Sequence, residues 1–166
     1  MATSALKSSG ITNRDATPKV ATNSRIYGAI LMSAVGYVTA LAADDTASRY
    51  RVVALPSNAV VRAVYLSSVA QGGSAAVDVG VYRATADGGA SVSAALFGSA
   101  VSVVSVVNRS DITNESTTYT PALREQPLWQ AAGLSADPGG ELDIVIAPTA
   151  ALTNGGQIGV EVQYVI

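Results

Sequence analysis

Asn58–Arg83 reads NAVVRAVYLSSVAQGGSAAVDVGVYR. Ala59–Ser68 is rich in β-branched and aromatic residues, Gln71-Gly72-Gly73-Ser74 supplies a permissive backbone, and Val77–Arg83 alternates again. The stretch therefore predicts two strands around a glycine reversal, a β-hairpin. On the second strand Val77, Val79 and Val81 point one way and Asp78, Gly80 and Tyr82 the other, because successive strand side chains leave opposite faces. An isolated hairpin is marginal in water, so further strands must cover the valine face.

Those strands are visible on both sides. Ser48–Leu55 is a strand stopped by Pro56, Leu142–Ala147 is another, and the terminal QIGVEVQYVI alternates cleanly. In that last segment Ile158, Val160, Val162, Tyr164 and Ile166 share one face, and Gln157, Gly159, Glu161 and Gln163 share the other. Val101–Val107 also reads as a strand, and the polar Asn108–Tyr119 as a long surface loop. Ser93–Phe97 predicts one helical turn, with Ser93 as cap and Gly98 ending it. Thr120-Pro121 opens a second helical element that Pro127 interrupts and restarts. The short helix Pro127–Ala132 then ends in a Schellman cap at Gly133-Leu134, anchored by Trp129. Seven or eight short strands in one 166-residue domain, with little helix, predict an all-β fold: an antiparallel β-sandwich or jelly roll.

Ile26–Ala43 is an uncharged run of eighteen residues. It is marginal in length for a membrane helix and is diluted by Ser33, Gly36, Tyr37 and Thr39. Ala40-Leu41-Ala42 resembles a signal-cleavage pattern, but a long polar stretch precedes it. One or two strands bent at Gly36 fit the composition better, and no membrane is expected as a partner.

Residues 1–25 are polar and read as an extended N-terminal arm, with the sandwich occupying 26–166. The arm carries Lys7, Arg14, Lys19 and Arg25 against Asp15, a net +3, while the body is −5. A basic arm on an acidic body fits either an acidic partner, such as another copy's body, or a solvated leader. Ordering such a segment costs about 1–2 kcal/mol per residue in backbone entropy, which a neighbouring chain is better placed to offset than scattered internal contacts. The overall charge of −2 argues against general nucleic-acid binding.

The chemistry is narrowed by absences in the sequence. With no histidine and no cysteine, a Ser-His-Asp triad, thiol chemistry and most zinc sites are excluded. Asp78, Asp111, Glu115, Asp137, Glu141 and Asp143 are candidate acid–base carboxylates, but most sit in turn segments where aspartate bonds its own backbone. Asp44-Asp45 and the Asp137/Glu141/Asp143 cluster lack the spacing of a calcium loop. Two Asn-x-Ser tripeptides, at Asn108 and Asn114, are chance matches, and the Gly-Gly pairs are turns without a phosphate-loop lysine. No enzyme activity, cofactor or metal is expected.

The order of LKSSGITNRDATPKVATN, SRYRVVALPSNAVVRAVYLSS, DVGVYRATADGGA, Leu96-Phe97, PLWQAAGLSADPGGELDIVI and GVEVQYVI resembles the head cement, or decoration, proteins of tailed bacteriophages. The resemblance implies a structural protein of the virion exterior, assembled in the bacterial cytoplasm, that bridges neighbouring major capsid protein subunits. It also implies self-association, for which a homodimer is expected before a homotrimer. Lys7, Arg14, Lys19 and Arg25 are then the expected electrostatic contacts, with Ile11 and Val20 as apolar anchors. A carbohydrate- or receptor-binding sandwich of a phage tail or fibre is the alternative. It would need exposed aromatics on one face, and the chain has only nine aromatic residues.

Overall fold

The computed structural model describes residues 6–166. Eight strands form two four-stranded antiparallel sheets: β1 (Met32–Ala40), β2 (Tyr50–Pro56), β3 (Val60–Ser68), β4 (Ala76–Arg83), β5 (Ser91–Ser102), β6 (Val107–Asp111), β7 (Glu141–Pro148) and β8 (Gly156–Val165). One sheet has the order β1-β8-β3-β6 and the other β2-β7-β4-β5. The pairs β1·β8, β2·β7, β3·β6 and β4·β5 are nested in sequence and fall alternately in the two sheets, which is the jelly-roll arrangement.

This order corrects the hairpin expected at Asn58–Arg83. β3 and β4 do not pair; Gln71-Gly72-Gly73-Ser74 carries the chain from one sheet to the other. Gln71 is fully buried there, its N–H donating to Val103 O and its carbonyl accepting from the N–H groups of Thr153 and Asn154. Three connections at this end of the sandwich are thereby locked together.

The inward faces make one core, in which Leu55, Val64, Leu66, Val77, Val79, Val81, Ile144, Ile146, Val160 and Val162 are buried. Alternation on β8 holds as read for Ile158, Val160 and Val162, whereas the terminal Ile166 is half exposed. β1 runs unbroken through Gly36. The glycine is needed for contact between the sheets: a Cβ there would lie 1.7 Å from the carbonyl oxygen of Val52, where β2 bulges.

Ser93–Phe97 is not a helical turn. It is the irregular centre of β5, between Val81↔Ser93 and Val79↔Gly98, and the extra residues drive Leu96 and Phe97 into the core. Val101–Val107 is not one strand but the end of β5, a turn, and the first residue of β6. The expected loop after Asn108 begins as edge strand β6 and then turns inward. Tyr119 is buried with its ring 5.0 Å from Phe97, edge to face, and its hydroxyl donates to Val61 O at 2.8 Å. Burial pushes the Tyr119 phenol up to about 12, so it stays a neutral donor.

A 3₁₀ turn at Leu123–Glu125 and the helix α2 (Leu128–Ala131, the second helix) follow. Gly133 N–H donates to Gln130 O and Leu134 N–H to Trp129 O, the bond pair of the expected Schellman cap. Leu128, fully buried, anchors this helix more deeply than the half-buried Trp129, and its N–H bonds Ala59 O at 2.7 Å. The arm contains the helix α1 (Ser9–Asp15), capped by Ser8, whose Oγ accepts from Ile11 N–H.

Candidate functional site

A groove of about 360 Å³ lies on the outer face of the β1-β8-β3-β6 sheet. Strand register explains it. One row across the sheet reads Val35, Glu161, Tyr65, Asp111; the next reads Tyr37, Gly159, Ser67. The second row is low in the middle because Gly159 has no side chain. It cannot take one without displacement, since a Cβ would lie 2.4 Å from Gly36 O and 2.7 Å from Tyr37 Cβ. Val35 and Tyr37 wall one side at 73% and 68% exposure, and Val69 and Val106 are exposed at the β6 end.

The other wall is electrostatic. Arg109 Nε and Nη2 donate to Glu161 Oε2 and Oε1 at 2.9 and 3.0 Å, a bidentate bond between β6 and β8. The Arg109 backbone has φ 46°, and its guanidinium carbon lies 3.8 Å from the centre of the Tyr65 ring. The Arg109 bonds hold the Glu161 carboxyl below the usual carboxylate range. The surface is thus a neutral, partly apolar trough with one fixed ion pair.

The arm residues singled out from sequence lie elsewhere. Lys7 Nζ and Arg14 Nε both bond Asp15, at 2.9 and 2.8 Å, so Asp15 gathers two of the four cations. Those bonds, Arg14's first, hold the Asp15 carboxyl below the usual range. Ile11 lines a smaller hollow of about 240 Å³ with Arg14, Ile26, Tyr27 and Glu125. Lys19 and Val20 are exposed. Arg25 is half-buried, and its carbonyl accepts from Arg62. The structure brings Ile11 and Arg14 together at one hollow and leaves Lys19 and Val20 outside it.

Four of the six candidate carboxylates, Asp78, Asp111, Glu141 and Asp143, lie on strands rather than in the expected turns, and each of the six but Glu141 has a bonding partner. Asp78 accepts from Ala100 N–H, Asp111 from Thr113, Glu115 from Ser99 N–H, and Asp143 pairs with Arg51 at 2.5 Å. Asp137 accepts from Ser57 Oγ and Gly139 N–H, which, in that order, hold its carboxyl below the usual range. Asp44 accepts from Tyr50 Oη at 2.6 Å and from Leu41 N–H; burial, then that acid, push the Tyr50 phenol up. Among the described residues no cluster of three or more acidic side chains is placed to hold a metal ion.

The groove was missed from sequence because it is assembled from four strands that are distant in the chain. The available signal was the small residue at Gly159 amid Gln157, Glu161 and Gln163 on the polar face of β8.

No family model and no curated protein sequence matches the chain. In fold it is similar to a chain of the cyanophage Pam1 capsid asymmetric unit, with a TM-score of 0.50 and 18% identity over 89% of this chain and 92% of that one. At that identity the likeness is one of fold, and it extends over nearly the whole length of both chains.

Proposed function

We propose that this chain is a viral structural protein, a cement or decoration protein that binds the outside of a bacteriophage head and bridges neighbouring major capsid protein subunits. The observation that carries the proposal is the near end-to-end likeness in fold to a chain of a phage capsid asymmetric unit. The jelly-roll body supplies a rigid block, and the basic arm, with Lys19 and Val20 exposed, supplies a second contact. Engaging two subunits at once makes the second contact intramolecular, which raises its effective concentration and resists shell expansion. Nothing in this role needs a cofactor, a metal or a reaction, and the protein's place is the capsid exterior after assembly in the host cytoplasm.

Co-sedimentation of the full chain and of a chain lacking residues 1–25 with empty shells tests the proposal. Binding by the full chain and reduced retention of the shortened one are expected. Equal retention of both removes the arm's role, and no binding by either removes the proposal.

One observation favours the second reading, a carbohydrate- or receptor-binding sandwich of a tail or fibre. Tyr37 stands exposed in a groove that also presents Asn108, Gln157 and Glu161. Glycan-array binding lost on Tyr37→Ala would support it over the first.

A further inference from the structure

A four-stranded sheet has two edges, and each edge strand offers unpaired backbone groups to any strand that can reach it. Three of the four edges in this sandwich are blunted. β6 is five residues long and carries Arg109 and Asp111. β2 is bulged at Val52, carries Arg51 and ends in Pro56. β5 is broken by register shifts, and its Phe97 carbonyl and Ser99 N–H are taken by Ser116 N–H and the Glu115 carboxylate.

β1 has none of these devices. Met32–Ala40, MSAVGYVTA, is nine residues without a charge, a proline or a register shift against β8. Among the described residues no strand pairs with its other side, and no backbone hydrogen bond from outside its sheet reaches it. Its outward side chains include Val35 and Tyr37, and apolar exposure continues at both ends through Ile30, Leu31 and Leu41.

The strand is also complementary to itself. Gly36 is its central residue, so an antiparallel pairing about a two-fold axis through Gly36 sets Val35 opposite the partner's Tyr37 and Ser33 opposite the partner's Thr39. Each pair then occurs twice, and both are favourable cross-strand types: aromatic with β-branched, hydroxyl with hydroxyl. The same axis satisfies the closed symmetry of most homodimers. From this edge, and resting on the assembly role proposed above, we infer that β1 pairs with β1 of a second copy, joining two β1-β8-β3-β6 sheets into one continuous eight-stranded sheet. The occupant is a second copy because the edge lacks charges to recruit an ionic partner and its own sequence supplies the matching residues.

The absence of cysteine makes the register directly testable in the full chain. The double variants V35C/Y37C and S33C/T39C are expected to form disulfide-linked dimers on mild oxidation, while V35C/T39C, out of register, stays unlinked. Because these side chains are on the exposed face, Val35→Lys with Tyr37→Lys is expected to keep the monomer fold, checked by circular dichroism. That variant should weaken dimerisation by roughly 10-fold or more in sedimentation velocity, since lysines face each other twice. A wild-type chain that stays monomeric overturns the inference, as does a dimer that neither crosslinks in register nor responds to the lysines. Shell binding is measured separately, so a chain that binds shells without pairing through β1 overturns this inference alone.

Discussion

Arg109 lies over the ring of Tyr65, 3.8 Å from its centre, while its guanidinium holds Glu161 with two bonds. This contact ties edge strand β6 to β3 and β8 and fixes one wall of the groove. Arg109→Ala is expected to lower the melting temperature slightly at low salt. The difference from wild type should shrink as NaCl is raised to about 1 M, because the pair is solvent-exposed and screened. A difference independent of salt would assign the role of Arg109 to packing on Tyr65 alone.

The floor of the groove gives a stronger effect. Gly159→Val must displace Gly36 O or Tyr37, which a Cβ would approach to 2.4 and 2.7 Å. Overpacking of this kind costs about 1–3 kcal/mol, or a fall in melting temperature of roughly 2–4 °C for each kcal/mol in a domain of this size. Thermal unfolding followed by circular dichroism measures it.

Tyr119→Phe keeps the ring against Phe97 but removes the donor to Val61 O. Leaving that acceptor without its buried donor is expected to cost about 1–2 kcal/mol, read as a lower urea midpoint at unchanged slope.

Acid sensitivity follows from carboxyls held below their ordinary range in the folded chain. Asp137 is bonded by Ser57 and Gly139, Asp44 by Tyr50 and Leu41, and Glu161 by Arg109. A depressed folded pKa favours the fold at pH values above the unfolded pKa, near 4, and that contribution disappears as pH falls through the folded value. The urea midpoint should therefore be flat between about pH 6 and 8 and drop below about pH 4. Asp137→Asn should lower the midpoint at neutral pH and reduce the drop.

The strands were legible where one face is buried and the other wet. The alternation from Gln157 onward put Ile158, Val160 and Val162 on the core face, where they lie. Partners were not legible. Gln71-Gly72-Gly73-Ser74 looks like a hairpin turn, yet turn chemistry states only that the chain reverses, and in a jelly roll many such reversals cross between sheets. β6 is not legible because an exposed polar edge, Val107-Asn108-Arg109-Ser110-Asp111, has no apolar alternation. Ser93–Phe97 misled for a related reason: its extra residues bulge inward with Leu96 and Phe97, which breaks the period of two. The groove depends on register across four strands, information that local patterns do not contain.

The arm makes a separate prediction. Lys19→Glu with Arg25→Glu reverses two of its four cations, and retention on shells should fall and become less dependent on salt. Unchanged retention at low salt would remove electrostatics from the arm's contact.

Whether the protein coats a phage head is read from images of empty heads with and without the full chain at subnanometre resolution. Added density is expected on the outer surface, shaped as a jelly roll, with an arm reaching a second capsid subunit. Heads whose outer surface is identical in the two preparations, after incubation with the chain in excess over capsid subunits, would overturn the proposed function.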